Sequence, residues 1–561
     1  MSKTIETPSG LRLELAGREL TGSLGAAAGR KGRWERYLLA VPAALLLALL
    51  VVPMLWTIER AVWEVPVLGN FGEILTDPAA LRSAWHSLLW VGIALAVLAA
   101  GYGIAVVSRH VGGGWRIAVY VLILPFGVSA VVAGAAFRLI FDPNPERGFA
   151  TALLGVTFLG PNLIWWVLAS AFAWSWLGFV VVLFRAGLDT TPGARRFGPL
   201  TLPRPGPVSA IVVLTVLVAA IRVFDLVLIT TPGSIQDDVD VVGLHWWRMT
   251  IRSADTGAPA ALAVLLFAVV AALSLFGMRT SRRTEPLPVA PREKPAREPA
   301  TVRAWWTKAG GIVLVLLWVT PLVVLVATAL HTPEVAGALG FWTFDGLGLG
   351  SFAEVSATWL WPAVSGSLLI AGLATGLVLA AAVPAAYWLT WVLPERPARV
   401  LVVVLAVLAV APVQMYAGPL NEVFTELGLV GSRAPLALVH AAAGVPFATL
   451  VLRTAFRAAP RDEFGRPALD AVWRRGSYRP TLVAVAVLEF VLVWNDFIVA
   501  YLVSGPGTSP LTLLLWGEAR QFGTSAGTVA ASAVVSALIP VVLLLLTWRT
   551  VVAGLTGRAA P

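Results

Sequence analysis

The residues that could do chemistry in this sequence are polar side chains set inside apolar stretches. In the stretch 479–515, Glu489, Asn495 and Asp496 are surrounded by Val, Leu, Ala and Phe. A charged side chain in a lipid bilayer is costly, so it usually faces a bundle interior or a transport path. These three residues therefore indicate either a polar path through a membrane or buried hydrogen bonds between helices.

A second stretch, 207–233, repeats this arrangement in the first half of the chain. Its ionisable residues are Arg222 and Asp225, which are three positions apart and can pair on one helix face. A structural ion pair is therefore the alternative to a place in a path. Two polar-centred helices in corresponding places predict a two-fold repeated membrane protein with a central path.

The composition is that of a membrane protein. The 561 residues are 58% hydrophobic and 13% charged, and a soluble protein carries about twice that charge. Apolar runs of about 20 residues, the length that crosses a bilayer, occur twelve times. The twelve runs are 37–58, 86–107, 115–137, 162–184, 207–230, 257–279, 310–330, 366–392, 399–419, 435–456, 480–503 and 528–553. The predicted fold class is an all-α polytopic membrane protein of about twelve helices.

The distribution of positive charge predicts the orientation. Most of the 41 Lys and Arg residues fall in alternate loops, beginning with the leader 1–36. Basic residues favour the cytoplasmic side, so both termini are predicted to be cytoplasmic. The net charge of +10 is thus expected to face anionic lipid and not nucleic acid.

The same plan occurs twice along the chain. Ser87-Leu88-Leu89 opens the second run and Ser367-Leu368-Leu369 opens the eighth, and Asp225 and Asp496 lie in the fifth and eleventh. Six runs per half give both halves the same orientation, as in parallel repeats. We expect four segments: a cytoplasmic tail 1–36, a first half 37–280, a Pro-rich linker 281–303 and a second half 304–561.

Several kinds of site are excluded or unsupported by residue type. The sequence has no Cys, its five His residues lack ligand spacing, and it has no Gly-x-x-x-x-Gly-Lys-Ser/Thr loop for ATP phosphates. We therefore expect no metal, no cofactor and no catalytic residue in this chain. A membrane enzyme such as a glycosyltransferase would need a carboxylate pair, and Asp237, Asp238 and Asp240 in an outer loop have no partner constellation.

Longer passages of the second half resemble a known family. They are Val410–Phe464, RPTLVAVAVLEFVLVWNDFIVAYL, PLTLLLW and the C-terminal VVAGLTG, with Trp-Asn-Asp-Phe at 494–497 as the more specific part. This half resembles an inner-membrane permease of ABC sugar importers, of the type that takes up maltose and other α-glucosides. The first half is similar to the partner permease through Leu124–Gly148, Ala173–Pro192 and Arg222–Gly233. Two permeases would thus be fused in one chain.

The resemblance implies a function and its partners. It implies a multi-pass permease of the bacterial plasma membrane that forms the path for an α-glucoside or similar oligosaccharide. It also implies an extracytoplasmic sugar-binding protein and a separate cytoplasmic ATPase dimer that hydrolyses the ATP. The family's sugar pocket lies in the first permease, and nine positions here match it. They are Phe126, Ser129, Trp174, Leu177, Gly178, Val181, Ile221, Phe224 and Asp225.

Both cytoplasmic loops depart from the family where it contacts the ATPase. The family's Glu-Ala-Ala…Gly motif, which forms a coupling helix, is missing from 190–207 and from 459–480. Each loop is shorter by on the order of ten residues, roughly 15 Å of helix. The remaining candidate coupling residues are Arg196 and Phe197 in the first loop and Asp462, Glu463 and Phe464 in the second. Gly and Pro prevent a stable helix in the first loop, so any ATPase contact should be stronger at the second.

Two further functions remain open. The missing motifs allow a permease-fold protein that is uncoupled from any ATPase. A secondary transporter can also have twelve spans in two parallel repeats. Its Gly-x-x-x-Asp-Arg-x-Gly-Arg/Lys signature between spans two and three would fall at Ser108–Arg116, where the sequence SRHVGGGWR lacks the Asp-Arg pair.

Overall fold

The fold is described from a computed structural model. It describes residues 37–63, 67–110, 118, 121–188, 194–197, 200–203, 208–252, 256–282, 305–457, 478–505, 507–520 and 526–556. The predicted tail 1–36 and nearly all of the predicted linker 281–303 lie outside these residues. The bounds of the four predicted segments stay predictions.

The first half contains ten described α-helices and a two-stranded hairpin. The helices are α1 (Val41–Trp63), α2 (Gly69–Thr76), α3 (Pro78–His110), α4 (Ala130–Ile140), α5 (Phe149–Leu154), α6 (Ile164–Leu188), α7 (Val208–Ile221), α8 (Asp225–Thr230), α9 (Val242–Arg252) and α10 (Gly257–Arg282). The hairpin pairs β1 (Ala194–Phe197) with β2 (Leu200–Pro203). Short 3₁₀ turns cover Leu38–Ala40, Leu124–Gly127 and Gly233–Val239.

The second half contains eleven described α-helices. They are α11 (Trp305–Ala329), α12 (Pro333–Ala338), α13 (Gly350–Thr358), α14 (Leu360–Tyr387), α15 (Glu395–Leu408), α16 (Ala417–Glu426), α17 (Arg433–Arg457), α18 (Arg479–Asn495), α19 (Ile498–Val503), α20 (Leu511–Ala519) and α21 (Ala526–Thr556). A π-helical turn, Trp388–Val392, extends α14, and a 3₁₀ turn covers Val413–Met415.

Eight helices among the described residues are long and apolar enough to cross a membrane. They are Leu38–Trp63, Pro78–Ser108, Ile164–Leu188 and Gly257–Arg279 in the first half, and Ala309–Ala329, Leu360–Val392, Arg433–Arg457 and Ala526–Leu555 in the second. They coincide with the first, second, fourth and sixth of the six apolar runs predicted in each half. This repetition agrees with the all-α membrane fold class, while the count of twelve spans stays a prediction.

The other four predicted spans are interrupted helices. Runs five and eleven are split at residues 222–224 and 496–497, so that α7 is followed by α8 and α18 by α19. Runs three and nine contain the 3₁₀ turns Leu124–Gly127 and Val413–Met415 before α4 and α16 begin. The breaks thus occur in the third and fifth run of each half.

The two halves also share a hydrogen bond that fixes a helix start. The Val242 N–H at the start of α9 donates to Ser87 Oγ at 3.0 Å. In the second half, the Leu511 N–H at the start of α20 donates to Ser367 Oγ at 2.9 Å. Because N–H groups in the first helical turn lack intrahelical acceptors, each serine satisfies a donor that would otherwise be buried without a partner.

The first helix of each half contacts the broken spans of the opposite half. Thr57 Oγ1 on α1 donates to the Met415 carbonyl at 2.8 Å, and Trp318 Nε1 on α11 donates to the Leu122 carbonyl at 3.1 Å. Arg60 and Glu422 add an ion pair of 2.5 Å between α1 and α16. These reciprocal contacts tie the two halves around the broken spans.

Candidate functional site

The breaks of the four interrupted spans meet at one place between the halves. Asn495 Nδ2, at the end of α18, donates to the Gly127 carbonyl in the break of run three at 3.0 Å. The breaks of runs five and nine also lie close together. A Cβ added to Gly243 would lie 3.3 Å from Gln414 Nε2 in run nine and 3.6 Å from Phe224 Cβ in run five. Breaks from opposite halves therefore face each other in two pairs, and we define this region as the central site.

Asp496 organises the break of run eleven. Its Oδ2 accepts hydrogen bonds from the backbone N–H groups of Val499 at 3.0 Å and Ala500 at 3.2 Å, so it caps α19. Its own carbonyl accepts a hydrogen bond from Thr512 Oγ1 at 2.5 Å. His440 Nε2 lies 3.7 Å from the same Oδ2. Asp496 thus has a structural task, and its part-buried side chain also lies within electrostatic range of Arg222.

Arg222 and Asp225 flank the break of run five. The helix is interrupted between them, and the structure forms no salt bridge between these two described residues, in contrast to the predicted pair. Both side chains are part-buried. Arg222 lies within electrostatic range of Asp225, Asp496 and Tyr416. The central site therefore brings the predicted polar residues of both halves together.

Glu489 lies apart from this group, two turns earlier on α18. Its side chain is 4% exposed, and a Cβ added to Gly444 would overlap its carboxylate. The small residue on α17 thus allows α18 to approach closely. The structure places Glu489 in a helix interface.

Most of the predicted sugar-contact positions are packed against other helices. Trp174 is 3% exposed and donates its Nε1–H to the Trp318 carbonyl at 2.8 Å. A Cβ at Gly178 would overlap the Leu122 carbonyl. Leu177 and Val181, on the same stripe of α6, are also buried. In this conformation the stripe joins α6 to its neighbours, and its contact with a sugar stays a prediction.

The remaining predicted positions divide between packing and the central site. Phe126 stacks on Phe179 with ring centroids 4.7 Å apart, and Ser129 caps α4 by accepting from the Val132 N–H at 3.2 Å. Ile221 is part-buried at the end of α7. Phe224 and Asp225 reach the central site.

A cluster of five aromatic rings adjoins the central site and was not identified from the sequence. Phe224 and Trp247 come from the first half, and Phe497, Tyr501 and Trp516 come from the second. Phe224 stacks on Phe497 with centroids 6.4 Å apart, so the two halves meet through these rings. We call this set the ring cluster.

A network of charged residues holds α9 against the start of α3. His245 lies 3.5 Å from Asp77 and 3.3 Å from Asp240. Arg248 pairs with Asp240 at 3.1 Å and also with Asp237. Two of the three outer-loop carboxylates considered for an enzyme thus have structural partners.

The predicted coupling residues are described only in part. Arg196 and Phe197 lie in β1, so their segment is a strand of a hairpin and not a helix. This agrees with the prediction that the first loop forms no stable helix. Asp462, Glu463 and Phe464 lie outside the described residues.

Comparison with known proteins finds several relatives, whereas no family model matches the chain. The chain is 28% identical over 251 residues to the osmoprotective compounds uptake permease protein GgtD of Synechocystis sp., a match that covers 41% of this chain and 84% of GgtD. It is 24% identical over 300 residues to the alpha-glucoside transport system permease protein AglF of Rhizobium meliloti, covering 47% and 88%.

One solved structure is also similar in part. It is a bacterial ABC transporter involved in the import of the acidic polysaccharide alginate, with 20% identity and a TM-score of 0.41, and the match covers 46% of this chain and 99% of that chain.

The relatives define the class of protein to which this chain is similar. They are permeases of ABC-type sugar and solute transport systems, and not enzymes. Each of the two relatives is matched over most of its own length but over less than half of this chain.

Proposed function

We propose that the chain is the transmembrane permease of an ABC-type sugar importer and that its central site lies on the path of an α-glucoside or similar oligosaccharide. The observation that carries this proposal is the meeting of four broken spans from both halves around Arg222, Asp225 and Asp496. Non-helical backbone at membrane depth is tolerated where it is buried in protein or lines a cavity. The similarity to AglF supports an α-glucoside as substrate.

The proposal includes the fusion of two permeases in one chain. The equivalent bonds at Ser87 and Ser367 support two copies of one plan. The matches to single permeases, each over less than half of this chain, are what such a fusion would give. The protein would lie in the bacterial plasma membrane with both termini in the cytoplasm.

Two partners are part of the proposal. An extracytoplasmic binding protein would deliver the sugar, and a cytoplasmic ATPase dimer would hydrolyse ATP, because the chain contains no phosphate-binding loop of its own. We expect the ATPase to contact the second loop, with Asp462, Glu463 and Phe464, more strongly than the first.

A second candidate is a permease-fold protein that no ATPase drives. The hairpin β1–β2 favours it, since this hairpin lies in the loop where the family has a coupling helix. A hairpin of two four-residue strands is marginally stable alone, so it transmits force poorly unless a partner holds it.

Reconstitution separates these functions. The ATPase and binding protein that co-purify with the chain would be identified and reconstituted with it in proteoliposomes, and uptake of two radiolabelled α-glucosides, trehalose and maltose, would be measured. Uptake that needs ATP on the side of the membrane where the ATPase lies supports the importer. Uptake driven by a proton gradient without ATP would favour a secondary transporter, and the absence of uptake of both sugars under every condition would contradict the proposed function.

The same system tests the loops. In the importer, Glu463→Ala with Phe464→Ala should lower stimulated ATP hydrolysis more than Arg196→Ala with Phe197→Ala. If the first-loop pair is the more damaging, the expected asymmetry is wrong. If the chain stimulates no ATPase, the uncoupled protein is the better description.

A further inference from the structure

The ring cluster is a single contact surface built by both halves. Phe497 lies 5.4 Å from Tyr501 and 5.4 Å from Trp516, measured between ring centroids. Tyr501 in turn lies 5.1 Å from Trp516 and 5.8 Å from Trp247. The rings therefore form a continuous path from α9 of the first half to α20 of the second.

Trp247 and Trp516 occupy equivalent positions in the two halves. Trp247 is five residues beyond Val242, the residue that donates to Ser87, and Trp516 is five residues beyond Leu511, which donates to Ser367. Since equivalent serines fix the starts of both helices, the two indoles come from the same place in each half. Both are part-buried, as is Tyr501, whereas Phe224 and Phe497 are buried.

Polar groups adjoin these rings along the chain. Asp225 follows Phe224 and Asp496 precedes Phe497 in the sequence, so the backbone of each Asp is joined to that of a stacked ring. Trp247 Nε1 is buried and has no hydrogen-bond partner among the described residues. Arg222 lies within electrostatic range of both Asp side chains, and the Arg520 guanidinium lies 5.1 Å from the Trp516 ring centroid.

This combination matches the chemistry of a sugar ring. Aromatic faces stack on the apolar C–H face of a pyranose, and carboxylates accept hydrogen bonds from its hydroxyl groups.

We propose that the ring cluster and the adjoining Asp225 and Asp496 form a binding site for a sugar, and that Tyr501 and Trp516 of the second half determine its affinity. This inference rests on the proposed function and deepens it. The site shares Phe224 and Asp225 with the nine sequence-predicted positions, all of which lie in the first half, and adds Phe497, Tyr501 and Trp516 of the second half.

The absence of native Cys allows a direct test on the full-length chain. Tyr501→Cys and Trp516→Cys would be introduced singly in nanodiscs, and the rate of labelling by N-ethylmaleimide would be measured with and without trehalose. At a trehalose concentration ten times Kd, a protected thiol should label about tenfold more slowly.

The matched control is Trp166→Cys on α6, because Trp166 is 71% exposed. Its labelling should not respond to trehalose. Size-exclusion chromatography of each variant checks that it is folded. As a second measurement, Tyr501→Leu and Trp516→Leu should each raise the KM of trehalose uptake about three- to tenfold, the effect of losing one stacking ring.

The outcomes separate this inference from the function. If trehalose is taken up but protects neither thiol and neither Leu variant changes KM, the cross-half site is wrong while the importer stands. If the reconstituted system takes up neither trehalose nor maltose and trehalose protects neither thiol, both the function and the inference are contradicted.

Discussion

Asn495 donates a hydrogen bond from Nδ2 to the Gly127 carbonyl at 3.0 Å, and this bond joins the broken spans of the two halves. The Asn495 Oδ1 atom is buried without a partner among the described residues. The amide thus serves as a donor to unwound backbone at the place where α18 ends. A bond across the interface of the halves has consequences for stability and for transport.

Asn495→Asp should destabilise the protein by about 1–3 kcal/mol, because it removes the donor and places a carboxylate against a buried carbonyl. Thermal unfolding in detergent measures the change. Asn162→Asp is the control, since Asn162 is exposed in a loop before α6. Equal stability of the two variants would mean that the bond to Gly127 contributes little.

Gly178→Ala should destabilise the protein by about 1–3 kcal/mol or more, since overpacking forces the backbone to move. The added Cβ would overlap the Leu122 carbonyl, which also accepts the hydrogen bond from Trp318. Gly103→Ala on α3 is the matched control, because nothing lies within 4 Å of its added Cβ. A stable Gly178→Ala protein with normal yield would contradict the close contact between α6 and Leu122.

Hydropathy predicted the eight continuous helices well but could not predict the four breaks. A window average records transfer energy and is insensitive to a few residues that leave helical geometry. Proline gives no clear signal, since Pro125 and Pro412 lie at breaks while Pro53 and Pro384 lie inside continuous helices. The local signal that was available is Asp496 just before a short helix, because its carboxylate accepts hydrogen bonds from N–H groups of the first helical turn.

The ring cluster could not be predicted for a different reason. Phe224 and Trp516 are far apart in sequence and meet only through the packing of both halves. Trp174 is an aromatic residue on the helix stripe that was predicted to contact a sugar, yet its indole N–H already donates a hydrogen bond to the Trp318 carbonyl. Residue type alone does not distinguish a packing ring from one that is accessible to a ligand.

Ser87→Ala and Ser367→Ala should destabilise the protein by similar amounts, about 1–3 kcal/mol each, because each leaves a buried backbone N–H without its acceptor. The exposed Ser365, two residues before Ser367, donates to the Pro362 carbonyl and provides the control as Ser365→Ala. Unfolding midpoints of the three variants would be compared in one detergent. A large effect at one serine and none at the other would contradict equivalent roles in the two halves.

Asp77 should stabilise the protein in a pH-dependent manner. Burial alone would raise the pKa of Asp77, but hydrogen bonds from the Ala79 and Ala80 N–H groups and the nearby His245 together hold this pKa below its usual value. A carboxyl whose pKa is lowered on folding stabilises the protein above its unfolded pKa of about 3.9, and the stabilisation is lost as the pH falls through the folded pKa.

The measurement compares Asp77→Asn and Asp77→Ala from pH 7 down to pH 3. Asn can still cap α3, so Asp77→Ala should cost about 1 kcal/mol more. The difference between the parent and Asp77→Asn should be constant near neutral pH and shrink only below about pH 4. A difference that grows on acidification would contradict the lowered pKa.

Cysteine labelling tests the predicted orientation. The sequence predicts that the loop at Phe344 lies outside and the loop at Glu395 lies in the cytoplasm. The loop at Glu395 belongs to the set of alternate loops that holds most of the Lys and Arg residues, and such loops favour the cytoplasmic side. Phe344 is 88% exposed, and the Glu395 side chain is 73% exposed, so both sites should react readily. In intact cells, a membrane-impermeant maleimide should label Phe344→Cys but not Glu395→Cys, which should label only after lysis. Labelling of both thiols in intact cells would contradict a topology with alternate loops on opposite sides and both termini in the cytoplasm.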